Sequence, residues 1–192
     1  MKKLKTTQKR LFSRYKAVIG QKDTTLNVIS QTKKLYSDLS KANEDALLEI
    51  AKEAYLAAYP EAKKVPDRKW LLAFLLGYNP VTKYVYEHEV ERKRARLAEA
   101  IIAVGVKQQE FITAFNHFWR QTSQYGIDVT DASTIKAFTD MGIEKVRWRT
   151  KEDSKVCKTC KDRNNKIYPI NKLPSKPHYN CRCWFEAVKD GE

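Results

Sequence analysis

The sequence contains no long run of apolar residues. Its longest apolar stretch, Trp70 to Leu76, is far shorter than the ~20 residues that a membrane-spanning helix needs. The first residues, MKKLKTTQ, lack the apolar segment of a secretory signal peptide. We therefore expect no association with a membrane, and we expect synthesis in the cytoplasm without export.

Acidic residues are the minority among the charged ones, because 37 Lys and Arg stand against 23 Asp and Glu, for a net charge of +14. This excess favours a polyanionic or acidic partner. The basic residues among positions 1–20 predict a mobile N-terminal arm. At 192 residues, without internal repeats or low-complexity tracts, the chain is long enough for one sizeable core and a small additional module.

The first three quarters of the chain show apolar residues at helical spacing. We predict helices over residues 24–59, 66–76, 81–104, 106–124 and 130–141. Proline or glycine separates them, at Pro60, Gly77, Gly105, Gly126 and Gly142. A break in the first helix near residues 40–43 is left open, and Thr130 or Asp131 is expected to cap the last helix. The apolar segment Trp70 to Leu75 is expected at the centre of the helical core.

The periodicity changes beyond Gly142. Residues Val146 to Thr150 alternate between apolar and basic side chains, which predicts a strand with one buried face. Asn164 and Asn165 suit a tight hairpin turn, where left-handed backbone angles are needed. A closing strand is predicted from Trp184 to Val188.

Cysteine is absent from the first 156 residues, and all four cysteines then occur with one of the three histidines between positions 157 and 183. Paired soft ligands from two separate turns form the tetrahedral sites that select zinc. A closed structural site uses four ligands, and we choose Cys157, Cys160, His178 and Cys181. Two residues separate the members of each pair, Cys157 from Cys160 and His178 from Cys181. Cys183 is the alternative fourth ligand, and an all-cysteine site stays open.

Two other uses of these cysteines were weighed. Two disulfides suit a secreted chain, which the N-terminal sequence does not indicate. A redox Cys-x-x-Cys pair is typical of a βαβ setting, which this segment lacks. Zinc is the favoured interpretation, with disulfides as the alternative, and Trp148 and Trp184 are expected to pack over the metal site.

Together these patterns predict an α+β fold. A mostly α-helical body is expected over residues 1–142, with the basic arm at 1–20. A small β-hairpin module held together by zinc is expected over residues 143–192. A module of this size buries too little surface to be stable alone, so metal binding is expected to be coupled to its folding.

The C-terminal quarter resembles a known family. Trp148, Arg149, Thr150 and Asp153 are followed by the paired cysteines, by Asn164-Asn165-Lys166-Ile167-Tyr168-Pro169, and by Pro177-His178-Tyr179-Asn180-Cys181-Arg182-Cys183. In this order they resemble the C-terminal domain of phage head-morphogenesis proteins, the Mu F-like minor capsid proteins of tailed bacteriophages. The resemblance covers roughly residues 143–188.

The resemblance implies a minor head protein inside the capsid of a virion, made in the bacterial cytoplasm. It implies association with the portal, and with major capsid or scaffold proteins, in capsid assembly or in DNA packaging and ejection. Contact with packaged DNA also agrees with the basic surface of the module.

Twelve basic residues stand against four acidic ones between Val146 and Lys189. This excess is suited to contact with DNA phosphates or with an acidic portal surface. The candidate contact residues are Arg147, Arg149, Lys158, Lys161, Arg163 and Arg182. A basic zinc-module protein that binds nucleic acid without a capsid role is therefore the alternative function.

No catalytic residue is predicted. A zinc nuclease needs a metal with an open coordination position, whereas His178 is already assigned to the structural set. A thiol nucleophile paired with His178 lacks a third residue to orient the histidine. We therefore expect a protein that is not an enzyme.

Overall fold

The computed structural model describes residues 2–19, 25–83, 85–104 and 108–188. It contains α1 (Lys2–Ile19), α2 (Thr25–Ala58), α3 (Arg68–Leu76), α4 (Tyr86–Val104), α5 (Gln108–Asp140), β1 (Lys145–Arg149), α6 (Lys158–Arg163), β2 (Ile167–Pro169), a 3₁₀ turn (Ile170–Lys172) and β3 (Trp184–Val188). The predicted fold class is confirmed: the chain is mostly α-helical, with a small sheet near its C-terminus. None of the described helices is long and apolar enough to cross a membrane.

The two long helices α2 and α5 form the centre of the helical body, and α1 and α4 pack against them. Their buried side chains belong to one apolar cluster that includes Leu35, Leu47 and Phe115. The apolar segment of α3 adds Leu71 and Leu75 to this cluster, but it lies beside the α2–α5 pair instead of at its centre.

Helix α2 is continuous through residues 40–43, where the sequence left a break open. Asn43 is fully buried in the middle of the helix, where it accepts a 3.0 Å hydrogen bond from Gln8 Nε2 and donates to Thr122 Oγ1 at 3.5 Å. Because partners from α1 and α5 satisfy this side chain, it has no need to compete with the helical backbone. Thr24 lies outside the described residues.

Helix α5 corrects two predictions. It runs unbroken from Gln108 to Asp140, so Gly126 is not a helix stop and neither Thr130 nor Asp131 is a cap. The Thr130 hydroxyl instead donates to the Gly126 carbonyl at 2.8 Å, one turn earlier in the same helix. Gly105 and Val106, where the preceding boundary was predicted, lie outside the described residues.

The predicted mobile arm is wrong. Residues 2–19 form helix α1, in which Leu4 and Gln8 are buried against the helical body. Its basic residues Lys5, Lys9 and Arg10 lie on the exposed face. The charge pattern was therefore that of an amphipathic helix with one solvated side.

The sheet has the strand order β2-β1-β3, and both pairs are antiparallel. The predicted strands at 146–150 and 184–188 are confirmed to within one residue. Asn165 has the left-handed angle expected at the turn, with a φ of 65°, but the turn connects α6 with β2 and not two strands. β1 is thus the central strand, and Trp148 on its inner face is fully buried.

A glycine ends α5 as predicted. Gly142 has a φ of 76°, its N–H donates to Thr139 O at 2.9 Å, and Ile143 N–H donates to Phe138 O at 2.9 Å. These two bonds form a Schellman motif, which reverses the chain direction after a helix. The reversal leads directly into β1 and brings the sheet against the last turns of α5.

Candidate metal centre

Cys157 and Cys160 lie at the beginning of α6. Cys157 is the N-cap residue, and its sulfur accepts a 3.4 Å hydrogen bond from the backbone N–H of Cys160. This N–H lowers the pKa of the Cys157 thiol. The turn therefore favours a thiolate, which is the form of cysteine that binds a metal.

The second set of candidate ligands comes from the loop that precedes β3. Cys160 Sγ lies 3.8 Å from His178 Nε2 and 3.6 Å from Cys181 Sγ. Two sulfurs bound at ~2.3 Å to one tetrahedral zinc would be about 3.8 Å apart, whereas a disulfide would bring them to ~2.05 Å. All four cysteines are free in the structure, and the spacing suits a shared ion.

The five candidate ligands form two groups that share Cys160. One group joins Cys157, Cys160 and His178, and the other joins Cys160, Cys181 and Cys183; within each group the ligand atoms lie within 4.8 Å of one another. The predicted set takes one whole group and adds Cys181 from the other. Which four ligands bind therefore stays a prediction, with Cys183 still the alternative.

Burial destabilises the thiolate form of the cysteines in this cluster unless a positive charge compensates it. Cys160, Cys181 and Cys183 are all buried, and burial raises the pKa of the Cys160 and Cys181 thiols. A divalent cation among these sulfurs would reverse that effect, because a coordinating thiol is deprotonated. The donor chemistry thus fits a soft-ligand metal ion.

His178 is oriented by a neighbouring carbonyl. Its Nδ1 lies 2.9 Å from the backbone oxygen of Tyr179, while Nε2 faces Cys160. Since a carbonyl only accepts, Nδ1 is the donor in this contact, and the neutral imidazole then has its lone pair on Nε2. A ligating histidine commonly makes such a bond with its other nitrogen.

Arg182 connects the two ligand-bearing segments. It lies between two buried cysteines, is itself exposed, and forms two hydrogen bonds with Asp153, at 2.7 and 2.6 Å. Asp153 belongs to the loop that precedes Cys157, and the guanidinium lowers the pKa of its carboxyl group. This bidentate pair fixes the loop before β3 against the loop before α6.

Trp148 packs in one apolar cluster with the three buried cysteines, as expected from the sequence. The ring of Phe185 crosses it edge-on, with centroids 5.2 Å apart. The prediction for Trp184 is wrong: its side chain is 39% exposed and lies outside this cluster. Sequence reasoning missed Phe185, although its position in an alternating strand next to Trp184 was the available signal.

Several predicted contact residues are engaged within the module. Arg149 pairs with Glu186 at 3.4 Å. Arg163 lies over the ring of Trp148, 5.0 Å from its centroid, and donates to Ser175 O at 2.8 Å. Arg182 pairs with Asp153. These arginines therefore support the module as well as charging its surface.

The other predicted contact residues differ in exposure. Lys158 pairs with Asp162 at 3.1 Å and is 90% exposed, and Lys161 is also exposed. Arg147 is half-buried on β1, opposite Glu186 of β3. The two exposed lysines thus lie on α6, Lys158 between Cys157 and Cys160 and Lys161 directly after Cys160. Lys189 lies outside the described residues.

Comparisons with protein-family models, with curated proteins and with solved structures gave no match.

Proposed function

We propose that the Cys/His cluster holds one structural zinc ion. The support is the donor set itself: thiols and an imidazole from two turns, most of them buried, with sulfur spacing suited to a tetrahedral ion. The module between residues 143 and 188 has a small core, so the ion would supply stability that burial does not.

The zinc proposal is tested by elemental analysis of the purified chain. One zinc per chain is expected. Cys160→Ser should abolish binding, because Cys160 is common to both ligand groups. Cys157→Ser, His178→Ala, Cys181→Ser and Cys183→Ser then identify the remaining ligands. A full zinc content in Cys160→Ser would overturn the proposal.

We further propose that the protein is a non-enzymatic minor head protein of a bacteriophage, associated with the portal in the capsid interior. One observation supports this most: the residues that carry the family resemblance have mutually dependent positions in one module. Trp148 packs with the cysteines, Asp153 binds Arg182, and Asn164 Oδ1 accepts from the backbone N–H of Thr150 at 3.1 Å. Residues that matched the family pattern by chance would not be expected to contact one another within one module in this way.

The test is mass spectrometry of phage particles induced from the bacterium that encodes the chain. We expect the protein in purified DNA-filled heads at a few copies each. Its presence in the lysate together with its absence from particles would overturn the capsid role. A pull-down with portal protein from the same particles then tests direct binding.

The alternative, a nucleic-acid-binding protein without a capsid role, is supported by the net charge and by exposed Lys158 and Lys161. It predicts duplex-DNA binding that weakens steeply with salt and that is reduced in Lys158→Ala/Lys161→Ala. DNA binding without binding to portal protein, combined with absence from particles, would favour this alternative.

A further inference from the structure

A cavity of about 370 Å³ lies between the helical body and the C-terminal module. One wall is formed by Phe74 of α3 and by Pro80 from the segment after α3. Ile135 of α5 forms a second wall, and Leu173 and Phe185 of the module form a third. The volume and the mainly apolar walls are typical of sites that bind small organic molecules.

Three charged side chains line this mainly apolar space: Asp128, Asp131 and Lys176. The ammonium of Lys176 is almost fully buried and lies 2.7 Å from Asp131 Oδ2, so these two charges compensate each other. The remaining carboxylate, Asp128, leaves the cavity with a net charge of −1 when both acids are ionised.

Asp128 is held by neutral donors. Asn79 Nδ2 donates to its Oδ2 at 2.6 Å, and Gln124 Nε2 donates to its Oδ1 at 2.8 Å. Among the residues that the structure describes, no lysine or arginine forms an ion pair with this carboxylate. Burial raises its pKa, while the hydrogen bonds from Asn79 and Gln124 and the nearby charge of Lys176 oppose part of that rise.

An aromatic residue, Tyr78, also lines the cavity and is largely exposed. An aromatic ring and a carboxylate in one lining are favourable to an organic cation, because the ring face attracts positive charge and apolar surface covers the stem.

We propose that this cavity binds a small organic cation: a primary ammonium or guanidinium group at Asp128 with an aromatic or aliphatic stem against Phe74, Ile135 and Phe185. The site does not depend on the proposed phage function. The amides of Asn79 and Gln124 hold Asp128 in place, and Lys176 keeps Asp131 from competing for the same cation.

The experiment uses the full zinc-loaded chain with isoleucine methyl groups labelled for NMR. The probe is 2-phenylethylammonium, and its matched controls are the neutral 2-phenylethanol and the anionic 3-phenylpropanoate. We expect saturable shifts at Ile135 and Ile170, which line the cavity, and none at Ile50 in the core of the helical body. The neutral analogue should bind at least about tenfold more weakly, and the anion should not bind.

Two variants separate the contribution of charge to binding from that of cavity volume, and a third is a control. Asp128→Asn keeps the shape and should weaken binding of the cation about tenfold, whereas Asp162→Asn removes a carboxylate from exposed α6 and should leave it unchanged. Ala132→Phe fills the cavity without changing charge and should abolish binding of both the cation and the neutral alcohol. Equal affinity for cation and alcohol, or unchanged affinity in Asp128→Asn, would overturn the proposal; so would the absence of saturable shifts in wild type.

Discussion

Arg182 shows how an exposed residue can support a buried site. Cys181 and Cys183 face inward on either side of it, and its guanidinium extends outward to Asp153. The sequence already indicated this alternation, because residues two apart in an extended segment share a face. The partner Asp153 has no spacing rule that would identify it, since it lies 29 positions away.

Arg182→Ala should weaken zinc binding roughly 10- to 100-fold, as loss of a residue that orients ligands commonly does. The measurement is competition with a chromogenic chelator at neutral pH. Asp153→Ala should have a similar effect, since it breaks the same bidentate pair. Lys158→Ala is the control, because it breaks only an exposed pair on α6. An unchanged zinc affinity in both Arg182→Ala and Asp153→Ala would contradict this role.

Asp131 makes the free energy of unfolding depend on pH, and the shift of its pKa fixes the direction of this dependence. Burial raises its pKa from 3.8 to about 6, and the Lys176 ammonium opposes part of that rise. The folded protein therefore binds this proton more tightly than the unfolded chain does. The associated stability is present at low pH and is lost as the pH rises towards and through 6.

Asp131→Asn should remove this dependence. In zinc-saturated protein, the free energy of unfolding of wild type relative to Asp131→Asn should fall by roughly 1 kcal/mol between pH 5 and pH 7. Urea denaturation at each pH measures it. Asp153→Asn is the control and should run parallel to wild type over this range, because Arg182 lowers the pKa of Asp153 below its ordinary 3.8 and the carboxyl is ionised in both states there. Parallel profiles for wild type and Asp131→Asn would contradict the assignment.

The helices of this protein illustrate where sequence periodicity is sufficient and where it is not. It predicted α3 to within two residues, with its end at Gly77, because the signals there are local, and the structure adds Asp67 as the N-cap. It left a break open in α2 and placed a false one in α5, because buried partners satisfy Asn43 and a backbone carbonyl accepts from the Thr130 hydroxyl. Those partners are brought together only by tertiary packing, which local spacing does not report.

Gly142→Ala should destabilise the chain by about 1 kcal/mol, because an L side chain is strained at the positive φ of the Schellman turn. A Cβ at this position would meet no atom within 4 Å, so backbone strain is the cause to be measured. Urea denaturation at neutral pH gives the value. Asn165→Gly is the reciprocal control at another positive φ and should be nearly neutral. A neutral Gly142→Ala would contradict the strain argument.

The loop that precedes β3 also joins the C-terminal module to the helical body. Lys176 Nζ donates to Cys183 O at 2.7 Å while it pairs with Asp131 of α5. Asn180 N–H donates to Gln124 Oε1 at 2.8 Å, again on α5. The segment that carries three candidate ligands is therefore the same segment that docks the module on the helical body.

Removal of the proposed zinc should consequently affect α5 as well as the module. After chelation we expect faster amide hydrogen exchange both in residues 143–188 and in the second half of α5 around Gln124 and Asp131, because the docking contacts of Asn180 and Lys176 with these residues are lost. The buried face of α1 around Leu4 serves as the internal control and should keep its protection. Faster exchange confined to the module would contradict the coupling.

At the scale of the whole molecule, the sequence predicted the two-part α+β organisation and the clustering of the five candidate ligands. It did not predict the docking surface or the cavity beside it. Both depend on pairs such as Asp131–Lys176, which are 45 positions apart and carry no local signal. The helix of residues 2–19 was missed for a related reason, since its basic face was more conspicuous than its buried Leu4 and Gln8.

The strand order has a consequence for how the chain is made. Strand β3 is the last described element, yet it pairs with β1 along all five residues of that strand. During synthesis the helices leave the ribosome first, and β1 then has an open edge until residues 184–188 emerge. A nascent chain, or one truncated before residue 184, would thus expose Trp148 and its neighbouring thiols, and the emergence of residues 184–188 is the event that covers them.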